Sequence, residues 1–110
     1  ERKWSFLLAA ARRASLPCRC LNARVESPLP TGFPGTTDLV TARALKLPAE
    51  VLAALAGRLT SRGRILLWLG EEDPDLPPDL LPDRELKLEG SERRRILELR
   101  RRDQPADATL

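Results

Sequence analysis

The stretch Arg64-Ile65-Leu66-Leu67-Trp68-Leu69 limits what this chain can fold into more than any other. A short run that is continuously apolar after one arginine predicts a central β-strand covered on both faces. Such a strand needs flanking strands and covering helices, and the rest of the chain supplies candidates for both.

Upstream, Trp4, Leu7, Leu8 and Ala11 recur at helical spacing, while Arg2, Lys3, Arg12 and Arg13 fall off that stripe. This predicts an amphipathic helix over residues 2–15, ended by Leu16-Pro17. A short strand is expected at 18–22, within Cys18-Arg19-Cys20-Leu21-Asn22-Ala23, and a loop over 27–37, dense in Pro, Gly and Thr. Residues 38–42 read as the next strand, with Arg43 at its end. Pro48 and Glu50 suit the first turn of a helix, whose buried stripe is Val51, Leu52, Leu55 and Leu59 and which ends before Gly63. After the apolar strand come an acidic, proline-broken connection over 70–82, an alternating strand at 84–89, a Gly90-Ser91 turn and a final strand at 94–101. Trp4 and Trp68 lie in apolar stripes and are expected in the core. Residues 103–110 read as a disordered tail, which leaves one partial domain over 1–102.

With 110 residues the chain holds one small domain. Aromatics are only 4%, so the core must be built from Leu, Ala, Val and Ile. A net charge of +3 permits an anionic partner without demanding one. No apolar run approaches the roughly 20 residues of a membrane span, and no signal peptide is visible at Glu1-Arg2-Lys3-Trp4. Histidine is absent, which removes the commonest general base and most zinc sites. Cys18 and Cys20, two residues apart, make a poor disulfide and a poor metal site, and read as small core residues in a reducing, cytoplasmic setting. No metal and no catalytic acid or base is assigned.

Strands alternating with helices imply a parallel sheet, and the closing pair across a very short turn must be antiparallel. A mostly parallel sheet with a C-terminal antiparallel hairpin is the profile of the α/β class I S-adenosylmethionine methyltransferases, a Rossmann-like fold. Particular stretches are similar to one such family, the glucose-inhibited division protein B family of bacterial 16S rRNA guanine-N7 methyltransferases. Glu1-Arg2-Lys3-Trp4-Ser5-Phe6-Leu7 resembles the family's segment after the acid of strand two. Asn22-Ala23-Arg24-Val25-Glu26-Ser27 resembles its Arg-Val-Glu turn, and residues 38–45, DLVTARAL, resemble its Asp-x-Val-x-Ser/Ala-Arg-Ala signature. Residues 63–70, GRILLWLG, occupy the place of its Gly-Arg-x-x-x-x-Lys-Gly strand, with Leu69 where the family has lysine. Residues 91–99, SERRRILEL, are similar to its closing strand.

The resemblance implies S-adenosylmethionine as cofactor, guanine N7 of 16S rRNA in the small ribosomal subunit as target, and a cytoplasmic enzyme. It assigns Arg43 to the cofactor site and sets Val25 and Glu26 at a turn bordering the adenine. The family's glycine-rich loop and strand-two acid have no counterpart from Glu1 onward, and Met is absent, so the expected fold is N-terminally truncated and the chain alone is expected to bind little cofactor.

The residues alone leave other readings open. Arg43 is either a crevice ligand or a surface guanidinium paired with a carboxylate such as Asp38; Glu26 is either functional or a solvated loop charge; Val25 packs if its backbone is not used. Arg93, Arg94 and Arg95, with Arg100, Arg101 and Arg102, form either an RNA-contacting patch or a solvated strand surface, since no aromatic platform is interleaved. A class I methyltransferase with another substrate and a non-enzymatic RNA- or protein-binding module are the alternatives.

Overall fold

The computed structural model describes residues 2–18, 20–21, 24–43, 46–90 and 93–104, with side chains in the first helix from residue 5 onward. The elements run α1 (Arg2–Arg13), β1 (Thr37–Arg43), α2 (Ala49–Ala56), β2 (Leu59–Leu69), β3 (Leu80–Lys87) and β4 (Arg95–Arg101). The four strands form one sheet in the order β1-β2-β4-β3. β1 and β2 are parallel, and β4 pairs antiparallel with both β2 and β3. The class is α/β, as expected, but the sheet is mixed rather than mostly parallel. The strand expected at 18–22 accounts for the difference. Cys18, Cys20 and Leu21 carry no strand pairing, while Arg19 and Asn22 lie outside the described residues. β1 is therefore an edge strand with one neighbour.

Alternation decides which side chains meet. Ile65 and Leu67 of β2 and Leu97 and Leu99 of β4 point to one face, where α2 delivers Val51, Leu52, Leu55 and Ala56. Leu59 and Leu80 complete this core, and Leu29 and Phe33 of the 27–37 loop pack at its margin. The opposite face, with Leu66, Trp68 and Ile96, is only half-buried, and Leu39 and Leu86 are exposed on β1 and β3. So β2 is covered on one face, not on both, and Trp68 is a half-buried residue of the open face rather than a core residue. Trp4 falls outside the described side chains.

Two boundaries differ from expectation. The second helix stops at Ala56, and the Gly57 N–H closes it by donating to the Ala53 carbonyl at 3.1 Å. Leu59, expected on the helical stripe, instead opens β2 and stays buried there. Gly63 then lies inside β2 rather than past a helix end. The register against β1 shifts between Thr37 and Leu39, and a Cβ at Gly63 would stand 3.0 Å from the Thr37 carbonyl and 2.9 Å from the Leu59 Cβ, so this irregular crossing needs a residue without one. β3 begins at Leu80, earlier than expected, and takes in Pro82, which an edge strand tolerates at an irregular register.

α1 forms from Leu- and Ala-rich sequence, and Arg12 and Arg13 suit the negative end of its dipole. It closes with Ser15 at φ 54° and the Leu16 N–H on the Ala11 carbonyl at 2.9 Å. Ala11 is buried, Leu8 half-buried, and Leu7 exposed despite lying on the predicted stripe. The C-terminal segment also departs from expectation. Gln104 is 5% exposed and held by four side-chain hydrogen bonds, so the expected tail contains a structural residue; residues 105–110 lie outside the described residues.

Candidate functional site

Because β1 and β2 are parallel, their carboxyl ends lie together at one edge of the sheet, where open α/β sheets form their ligand crevice. Arg43 stands beside Trp68 in register, and Ala42 beside Leu67. Val40 and Ala42 turn toward the α2 core, so alternation sends Arg43 and Trp68 to the opposite, open face. Arg43 is exposed and, among the described residues, its side chain makes no hydrogen bond or ion pair. Asp38 is not its partner. It sits five positions earlier on β1, roughly 16 Å away along an extended strand, and accepts from the Thr60 hydroxyl at 2.8 Å.

At the same edge, between the start of α2 and the loop after β2, a cavity of about 680 Å³ opens. Leu47, Leu67 and Leu69 supply apolar wall, and Glu50, Glu72, Asp73 and Asp75 stand around it with one cation, Lys46. Lys46 pairs with Glu72 at 3.5 Å. Asp73 accepts from Arg95 at 2.6 Å. The Glu50 and Asp75 carboxylates make no hydrogen bond or ion pair among the described residues.

The other residues singled out from sequence are distributed differently. Val25 is 39% exposed, and Glu26 is exposed with its carboxylate 4.0 Å from Arg24. Among the described residues no hydrogen bond or ion pair joins either to Arg43, so the three cofactor candidates are not brought together by polar contacts. Cys18 is exposed and Cys20 half-buried, both as thiols rather than the core residues expected. No group of three or more Cys, Asp or Glu suited to a metal occurs among the described residues, and none of their helices is long and apolar enough to cross a membrane.

The arginines at the carboxyl-terminal end are largely committed within the protein. Arg95 donates to Glu85 at 2.8 Å, to Asp73 at 2.6 Å, and to the carbonyls of Gly70 at 3.1 Å and Glu72 at 2.9 Å. It thereby pins the loop after β2 onto the β3–β4 hairpin. The hydrogen bonds it donates to Glu85 and then to Asp73 raise its pKa above the already high arginine value. Arg100 binds Asp83 at 3.3 Å and the Gln104 carbonyl at 2.8 Å, Arg101 binds the Ala56 carbonyl at 3.2 Å, and Arg102 binds that of Pro78 at 2.9 Å. Arg93 pairs with Glu71 at 3.0 Å on the surface, and Arg94 is exposed.

Sequence reasoning missed Gln104 and the tie made by Arg95. Gln104 donates to the carbonyls of Thr60 at 2.9 Å and Gly63 at 3.2 Å, and accepts from Arg64 at 3.1 Å and from the Arg101 N–H at 2.8 Å. No periodic pattern marks a single amide in a polar segment. For Arg95 a signal existed: the acidic run at 71–75 needed cations, and β4 brings one opposite it. No family model matches this chain, and no curated protein matches it.

Proposed function

We propose that this chain is part of a class I S-adenosylmethionine methyltransferase that modifies guanine N7 in the 16S rRNA of the small ribosomal subunit, in the cytoplasm. The observation that carries the reading is Arg43: a guanidinium without a hydrogen bond or ion pair among the described residues, at the carboxyl end of a strand in a parallel pair, within the DLVTARAL segment that resembles the family signature. The antiparallel hairpin that closes a sheet begun by a parallel pair is also what the resemblance leads one to expect.

Arg43 fits the cofactor chemically, because an unpaired fork of N–H donors suits an anionic group such as an amino-acid carboxylate. When bound, the cofactor would supply a methyl on a sulfonium, which the N7 lone pair would take as the carbon–sulfur bond broke, leaving the positive charge on the purine. N7 carries no proton, so the chain needs no general base, and the lack of histidine is compatible with the reaction. The work left to protein residues is to hold and align. Arg43 would hold the cofactor, the turn at Val25 and Glu26 would border its adenine, and exposed Arg93 and Arg94 would meet phosphates.

The test uses a longer chain that supplies the glycine-rich loop and the ribose-binding acid. It should transfer labelled methyl to small subunits, and Arg43→Ala should weaken cofactor binding by calorimetry roughly tenfold to a hundredfold, the worth of one charged hydrogen bond. Arg43→Lys should recover part of that loss. Absence of transfer to small subunits, or cofactor binding indifferent to position 43, refutes the reading.

A further inference from the structure

The two edges of the sheet are built differently. β3, at one edge, carries Pro82, a register irregularity between Pro82 and Arg84, and the charges of Arg84, Glu85 and Lys87. These are devices by which edge strands avoid pairing with other chains. β1, at the other edge, runs seven residues from Thr37 to Arg43 without proline or lysine. The register shift near Thr37 is taken up by the extra length of β2 between Leu59 and Arg64, so it does not blunt the outer side of β1. Alternate residues of β1 turn their N–H and C=O groups away from β2. Among the described residues no strand pairs with that side. The Thr37 N–H donates to the Arg58 carbonyl at 2.7 Å, and the Leu39 carbonyl accepts from the Thr37 hydroxyl at 3.2 Å; these are the bonds β1 backbone groups make outside the sheet among the described residues. Leu39, on this strand, is 55% exposed.

We propose that this edge pairs with the same edge of a second copy of the chain, β1 against β1, to make one continuous sheet. A row of unpaired backbone donors and acceptors specifies an extended strand as its occupant. Charge then selects the sense of pairing. Parallel pairing would set Asp38 beside Asp38 and Arg43 beside Arg43 of the two copies, like against like. Antiparallel pairing brings the Arg43 end of each copy against the Asp38 end of the other, so the strand is its own complement. A two-fold axis normal to the sheet keeps both α2 helices on one side and closes the pair, and the guarded β3 edges stop further growth. The register centred on Val40 uses the whole strand: Leu39 stands opposite Thr41 of the other copy, Asp38 opposite Ala42, and Thr37 opposite Arg43. A contact one strand long is smaller than a standard interface of roughly 1,200–2,000 Å², so the dimer is weak, with a dissociation constant on the order of 100 μM. The inference does not depend on the methyl-transfer reading.

Sedimentation of the 110-residue chain from about 10 μM to about 1 mM should show a monomer–dimer equilibrium, with amide exchange at 38–43 slowing as concentration rises. Leu39→Lys/Thr41→Lys changes two exposed positions and sets lysine opposite lysine at both crossings, and it should weaken the dimer about tenfold or more. Leu39→Lys/Thr41→Glu sets lysine opposite glutamate only where the strands run antiparallel in this register, and it should restore the dimer. Both variants should melt as the parent does at low concentration, where the chain is monomeric. A monomer throughout the range, a dimer indifferent to the lysine pair, or no recovery with glutamate overturns the proposal. Protection of 38–43 that does not change with concentration in a monomeric chain places the cover of this edge within one copy and overturns it as well.

Discussion

Phe6 and Leu7 on α1 are 71% and 56% exposed, whereas Ile65 and Leu67 on β2 are 0% and 3% exposed. Both stretches are rich in large apolar residues, and both carry a clear pattern. The difference lies in what the fold brings to them. β2 has β1 on one side, β4 on the other and α2 across one face. α1 makes no extensive contact with any other described helix or strand, so its stripe sets its helicity but not its burial. Periodicity says which residues of an element face together; it does not say that anything will meet them.

The largest effect expected from this contrast is in the core. Leu52→Ala should lower stability by about 3 kcal/mol, through lost transfer energy and the cavity left under the sheet, and a urea melt reads it directly. A cost below about 1 kcal/mol, the scale of a surface change, would mean that α2 does not cover the sheet.

Gln104→Ala should cost about 2 kcal/mol, because it leaves the Thr60 and Gly63 carbonyls and the Arg101 N–H without their partner in a buried place. A chain ending after Gln104 should melt as the full chain does. Loss of stability in that shorter chain would move the anchor into 105–110.

Arg95→Met should cost about 1 kcal/mol, since its carboxylate partners are exposed to solvent and screened, but it should release the loop after β2. Faster amide exchange at 70–75 with little change elsewhere is the signature. The raised pKa of Arg95 means that its contribution is fully present below the ordinary arginine value and is lost only as pH rises beyond it. Its ionisation therefore adds no slope to stability near neutral pH.

The smallest effect belongs to α1. Phe6→Ser, or removal of residues 1–26, should change stability by less than about 0.5 kcal/mol, because Leu29 and Phe33, which pack at the core margin, are retained. A drop approaching that of Leu52→Ala would show that α1 is covered in solution by a contact its exposed stripe does not reveal.

Much of the fold was legible in the residues. The apolar run at 64–69 marked the centre of the sheet, the alternation after Asp83 marked its hairpin, and Pro48 with Glu50 marked the start of α2. Arg43 was legible as a candidate because residues 38–45 resemble a family signature whose arginine follows a strand; its position alone left a surface ion pair equally open. The carboxylate-lined cavity was not, since its residues come from two separated segments, 46–50 and 67–75, and only their approach makes a site.

By itself, the sequence determined the type of most elements and the parallel sense of β1 and β2, because local periodicity and a helical crossover fix both. It did not determine the end of α2: Leu59 satisfies a helical stripe and a strand face equally, and the pull of β1 on β2 assigned it to the strand. Nor did it determine that Cys18, Cys20 and Leu21 carry no strand pairing, because a short strand forms only where neighbouring strands offer hydrogen bonds. Tertiary structure alone decided that Gln104 is an anchor and that Arg95 is a tie. The reason is the same for both: a polar side chain's role is set by the groups that chain folding places within hydrogen-bond reach, and Thr60, Gly63 and Asp73 lie far away in sequence.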